Sequence, residues 1–234
     1  MIARRVLALA LVLINGPVLA AEVPLDLQDP ESPQQTLEGY MRAAELGHAE
    51  SMNRIGVLYA EGVVVPQDYV AALAWYERAA KRGSYAALEN IATLYFYGYG
   101  VPQSYTQTAR ILELAVRGGS ADAENKLGTL YDSGMGVQQD QARAFDLFRQ
   151  GAEQGYPPAM ANLGRMYIDG RGVARNDLRG YALIRAALDA GVPASMVDVS
   201  KRRLDSAASR LGATDLAQAQ KMASAIVTAF SKAD

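Results

Sequence analysis

The sequence predicts an all-α solenoid, a stack of two-helix units, and three observations predict it. Tyr59, Tyr95, Tyr131 and Tyr167 stand 36 residues apart, and each is followed three positions later by a glycine, Gly62, Gly98, Gly134 or Gly170. An apolar residue precedes a small one on the same period, at Ile55-Gly56, Ile91-Ala92, Leu127-Gly128 and Leu163-Gly164. Three positions after the loop valines Val65, Val101, Val137 and Val173 come Asp68, Ser104, Asp140 and Asn176, side chains that accept hydrogen bonds from the free amides of a helix start. A period of this length marks a repeat array in which each unit buries its apolar faces against its neighbours.

Residues 1–20 precede the array and read as a signal peptide. Arg4 and Arg5 are followed by an apolar run over 6–14 and by Val18-Leu19-Ala20, a small-residue cleavage pattern. The alternative, a retained anchor, meets the difficulty that the run is short of the ~20 residues that a helical span needs. With no cysteine anywhere in the chain, lipidation of the new N-terminus is excluded. Residues 21–31 form an acidic, proline-containing leader, expected to be flexible.

Residues 32–47 are expected to form a capping half-repeat. Tyr40, Ala44 and Gly47 lie 36 positions before Tyr76, Ala80 and Gly83, and Ser32-Pro33-Gln34-Gln35 has the form of a capping box with proline in the first turn. Four full units follow over 48–191, namely 48–83, 84–119, 120–155 and 156–191. In each, the first helix ends at the glycine after the tyrosine, and the second begins after the polar cap. The second helix closes on Gly83, Gly119, Gly155 or Gly191, where glycine tolerates the left-handed C-terminal cap. Ser84 and Ser120 are placed to cap the next first helix, and Pro157 and Pro158 suit a first turn.

Within the first unit, Met52, Ile55 and Tyr59 on one helix and Ala72, Trp75, Tyr76 and Ala79 on the other recur at helical spacing. The tyrosine and glycine columns are therefore expected to be core. Residues 192–234 form C-terminal capping helices, the last carrying Leu216, Ala219, Ala223, Ile226 and Phe230 as one stripe that packs back onto the array.

The segment AENKLGTLYDSGMGVQQDQARAFDLFRQGAEQG, residues 123–155, resembles the Sel1-like repeat, a relative of the tetratricopeptide repeat, and AALAWYERAAKRG over 71–83 is similar to its second-helix signature. The resemblance covers about residues 36–191. It implies a right-handed α-α superhelix whose concave side is lined by the first helices. Departures are mild: Val64 replaces the second loop glycine, Ala92 a packing glycine, and Thr108 and Gly180 helix alanines.

Composition narrows the function. The chain has 23 basic and 25 acidic residues, and removing Arg4 and Arg5 with the signal leaves 21 against 25, a net charge of −4. No basic face is advertised for nucleic acid, whose binding rests on neutralising phosphates. His48 is the sole histidine, so with no cysteine the usual zinc ligand sets are missing. No nucleophile elbow or phosphate-cradling loop is present. Carboxylate pairs such as Asp132 with Asp169 have the residue types a hydrolase uses, but acidic residues at helix ends are commonplace. No enzyme activity, metal or cofactor is expected, and no membrane insertion once the signal is cleaved.

The resemblance instead points to a protein partner held on the concave face. The candidate partner-binding residues are Asn53, Glu89, Thr93, Phe96, Tyr97, Tyr99, Asn125, Thr129, Asp132, Arg165 and Asp169. Val57, Ala161, Glu61 and Ser133 complete the lining columns. Tyr95-Phe96-Tyr97-Gly98-Tyr99 puts four rings in five residues, either as an interface anchor or as padding between units. The expected role is an exported, periplasmic or secreted adaptor. Alternatives are a periplasmic immunity protein that neutralises a toxic effector such as a lipase and, more distantly, an enzyme acting on cell-wall glycan.

Overall fold

Prolines, caps and glycines set the helix boundaries in the computed structural model, which describes residues 33–231. The signal peptide, the leader and Ser32 of the capping box lie outside the described residues. Helix α1 (Pro33–Glu45) forms the half-repeat. The four units are the hairpins α2 (Ala49–Glu61) with α3 (Tyr69–Lys81), α4 (Tyr85–Tyr97) with α5 (Tyr105–Ala115), α6 (Ala121–Ser133) with α7 (Gln141–Glu153), and α8 (Pro157–Asp169) with α9 (Asp177–Ala190). Helices α10 (Ala194–Ala208) and α11 (Ala213–Ser231) complete the chain. Among the described residues there is no strand, and the architecture is an all-α solenoid.

The predicted caps form in every unit. Asp68 accepts from the amides of Val70 and Ala71 at 2.9 Å, Ser104 from Gln107 at 3.3 Å, Asp140 from Arg143 at 3.0 Å and Asn176 from Arg179 at 2.9 Å. Ser84 and Ser120 cap α4 and α6, and the proline pair opens α8. In the second unit α5 stops at Ala115 and tightens into a 3-10 turn, Val116–Gly118. His48 stands at the N-cap of α2 and makes no side-chain capping bond.

Each hairpin is closed by a further main-chain bond, and the first three by a side-chain bond as well. The amides of Asp68, Ser104, Asp140 and Asn176 donate to the carbonyls of Tyr59, Tyr95, Tyr131 and Tyr167 at 2.8–3.0 Å, so the repeated tyrosine ties its loop through the main chain. Gln67, Gln103 and Gln139 donate from Nε2 to the carbonyls of Ala60, Phe96 and Asp132 at 2.7–2.8 Å. These carbonyls belong to the last turn of the first helix, where no intrahelical donor remains.

The tyrosine rings correct the sequence expectation. Tyr131 is buried, but Tyr59, Tyr95 and Tyr167 are only partly so. The column stands one turn from the helix end, at the loop edge of the hairpin. There a phenol keeps its body in the core and its hydroxyl at the rim. The Tyr131 hydroxyl donates to Glu113 at 2.8 Å, and Arg143 covers its ring.

The small-residue column lies against a bulky partner twenty positions on. A Cβ on Gly56 would sit 2.5 Å from the Tyr76 ring, and one on Gly128 2.8 Å from Phe148. Tyr76 and Phe148 are fully buried, each worth about 1.5–3 kcal/mol of hydrophobic stabilisation. The second unit has Ala92 and, in the matching place, the thinner Leu112, so the departure from glycine comes with a compensating partner.

The second loop glycine links neighbouring units. At Gly136, φ is +71° and an added Cβ would lie 2.2 Å from the carbonyl carbon of Tyr105, at the start of the previous unit's second helix. Gly100 and Gly172 repeat the contact against Tyr69 and Gln141. Val64 takes this place in the first unit, where the preceding helix is α1 of the cap. At the other end α11 folds back on α9 as its stripe predicts, with Ala219 and Ala223 buried and Phe230 against Gly155.

Candidate partner-binding surface

The predicted lining columns are less open than their polarity implies. Asn53 is only 4 % exposed because neighbouring first helices approach closely: Asn90 Nδ2 donates to Asn53 Oδ1 at 2.9 Å, and Asn162 repeats the bond to Asn125 at 2.9 Å one pair of units on. Val57, Thr93 and Ala161 are buried as well, and Thr93 turns its hydroxyl back to the Glu89 carbonyl. Glu89 takes the asparagine's place in the second unit. Burial pushes its carboxyl up, partly offset by the Ser120 hydroxyl, with Asp122 and Lys126 also facing it. Glu61, Thr129, Ser133 and Asp169 are exposed, while Arg165 and Tyr97 are half-buried.

What the structure does assemble is a cavity of about 150 Å³ where the second unit meets the third. Its floor is Ala92, Thr108, Leu112 and Leu130, and its rim is Thr93, Phe96, Tyr97, Asn125, Lys126 and Thr129. Five of the predicted binding residues, Thr93, Phe96, Tyr97, Asn125 and Thr129, thus converge on one apolar hollow. Thr108 and Leu112, which the sequence reading did not select, come from α5. They occupy columns that hold Ala144 and Phe148 in the third unit, and the thinner Leu112 leaves the hollow its room.

The aromatic run crosses a unit boundary. Tyr69 stacks on Tyr99 at 4.8 Å and Tyr99 on Tyr97 at 5.4 Å, while Phe96 meets Tyr97 and Tyr105 edge-on at 4.7 and 5.2 Å. Tyr99 therefore pads the first and second units, whereas Phe96 and Tyr97 wall the cavity. Gln67 and Gln103 each donate to a phenol of this run, Tyr69 and Tyr105, at 3.1 Å.

The proposed carboxylate pair is not free. Buried Asp132 lies 2.7 Å from Arg165 and 2.8 Å from Arg171, and Arg203 Nη1 lies 2.7 Å from both oxygens of Asp169. Each carboxylate is thus engaged in an ion pair with arginine. Among the described residues no three His, Asp or Glu side chains stand together as a metal site, and no helix is long and apolar enough to cross a membrane.

A chain of stacked helical hairpins joined through close-packed small residues is an α-solenoid by class. The family model for the Sel1 repeat matches residues 49–84, 86–120, 121–156 and 157–192, and the chain belongs to the Sel1 repeat family. It is similar in structure to c5321, described as a protective antigen of uropathogenic Escherichia coli with this repeat fold, at 24% identity and a TM-score of 0.77 over 88% of this chain. The match takes in 44% of that protein, so the chain spans less than half its length. A Sel1 repeat protein of Oxalobacter formigenes is similar at 27% identity and a TM-score of 0.62, over 66% of this chain and 62% of the other. No curated protein matches the chain. Sel1 repeat proteins generally act as protein–protein interaction scaffolds.

Proposed function

We propose that this chain is an exported, non-catalytic adaptor that holds a protein partner along the concave side of the array, with an apolar partner side chain seated in the cavity between the second and third units. The single observation that carries the reading is the convergence of Thr93, Phe96, Tyr97, Asn125 and Thr129 on one apolar hollow with a polar rim. Such a hollow, lined by two aromatic rings, is the form that interface hot spots take. Export, to the periplasm or beyond, rests on the composition of residues 1–20.

Thr129 provides the test. Its side chain is exposed and its hydroxyl bonds only to its own helix, at the Asn125 carbonyl, so Thr129→Arg fills the rim without disturbing the core. The variant should melt like the parent and lose the partner captured from its native envelope. Unchanged capture would refute the site. Tyr97→Ala is a poorer probe, since its ring packs on Phe96 and Tyr99 and its removal also loosens the second unit.

A further inference from the structure

Beyond the cavity, α8, the loop before α9, α10 and the turn after α10 line an open groove of about 570 Å³ that gathers Arg175, Arg202, Arg203 and Arg210 with Asp169 and Val199. Val199, Arg202, Arg203 and Ser206 follow one another at helical spacing on α10, so they share one face, and Arg210 lies in the turn beyond its end. Four guanidinium groups meet here in a chain whose overall charge is −2.

Three of the four are already seated on carboxylates. Arg210 forks onto Asp177, with Nε and Nη2 at 2.9 and 2.6 Å, and Arg203 holds Asp169. Arg175 shares Asp177 at 2.9 Å, and the arginine contacts hold its carboxyl below the usual range. Counting Asp169 and Asp177 against the four arginines, and Asp198 and Asp205 of α10 against Lys201, leaves a surplus of one positive charge. Arg202 is exposed and has no ion-pair partner among the described residues. Beside it Val199 is 44 % exposed, an apolar contact next to the uncompensated charge.

We propose that this groove receives an acidic segment of the protein partner, with one carboxylate on Arg202 and an aliphatic side chain against Val199. This rests on the reading that the partner is a protein. Arg202 is the reason to choose a carboxylate: its planar fork is unpaired among the described residues and matches a carboxylate with two parallel hydrogen bonds, whereas Arg175, Arg203 and Arg210 are already engaged by Asp177 and Asp169. The excess charge steers such a segment toward the C-terminal end of the array, while the apolar cavity lies between the second and third units. A bound partner would therefore run in one direction only.

The test uses two fluorescein-labelled capped peptides, Glu-Glu-Leu-Glu-Glu and Gln-Gln-Leu-Gln-Gln, with binding to the purified protein read by anisotropy. The acidic peptide should bind about two- to fivefold more tightly, the scale of one exposed charge pair, and the preference should shrink as salt rises. Arg202→Glu, at an exposed position with no contact to lose, should abolish the preference, whereas Thr129→Arg should leave it intact. Equal binding of the two peptides, a preference that survives Arg202→Glu, or displacement of the acidic peptide by equimolar inorganic phosphate would each overturn the proposal. The cavity reading fails on Thr129→Arg and this one on Arg202→Glu, so the two fail separately.

Discussion

Replacing Gly136 with alanine tests how neighbouring units are joined. Two costs act at this position. The first is conformational, since φ of +71° disfavours any residue with a Cβ by about 1–2 kcal/mol. The second is contact: the new methyl would lie 2.2 Å from the carbonyl carbon of Tyr105 and 2.5 Å from the amide nitrogen of Thr106. Both are backbone atoms of a capped helix start, which move only if the loop of the third unit parts from the second. Gly119 supplies the control, because φ there is +75° and an added Cβ meets nothing within 4 Å. Gly119→Ala should therefore cost only the conformational part, lowering the melting temperature by roughly 2–8 °C for a chain of this size. Gly136→Ala should exceed it by at least ~2 kcal/mol, a further loss of roughly 4 °C or more. Thermal circular dichroism on the two variants reads the difference. Equal losses would refute the claim that this glycine is a contact between units.

Two further outcomes follow from the core and from a half-buried acid. Gly128→Ala should drive a methyl into the Phe148 ring, 2.8 Å away, whereas adding Phe148→Leu recreates the Ala92 and Leu112 pair of the second unit. The double variant should recover about 1 kcal/mol or more relative to the sum of the singles in urea unfolding, and strict additivity would contradict the pairing. Glu89→Gln should stabilise the protein at pH 7. Burial raises its folded pKa above the ordinary 4.5, so the ionised form carries a penalty that sets in as pH rises from about 4.5 through the raised value. The gain should fade as pH falls below that window, and a gain persisting in acid would show that charge is not its cause.

Much of this molecule was legible in its residues because a repeat writes each physical requirement several times. Asp68, Ser104, Asp140 and Asn176 differ in type yet share the ability to accept from a helix start, and all four do so. The stripe on α11 likewise predicted its return to the array. What stayed hidden depends on distances between units. The polar pattern of Asn53 and Asn125 reads as solvent lining, but the approach of the next helix turns both into partners of Asn90 and Asn162. The ionic roles of Asp132 and Asp169 depend on arginines 33 to 39 positions away, beyond any local pattern. The column Gln67, Gln103, Gln139 was a missed signal, since its period alone marks it as structural.

Photo-crosslinking bears most directly on the claim that the first-helix face holds a protein partner. A benzophenone amino acid placed at Thr129, on the cavity rim, should trap one discrete partner in the native cells, and the adduct should vanish when excess unlabelled protein competes. The same probe at Glu77, exposed on a second helix, should trap none. An adduct formed equally from both positions, or from Glu77 alone, would contradict the account.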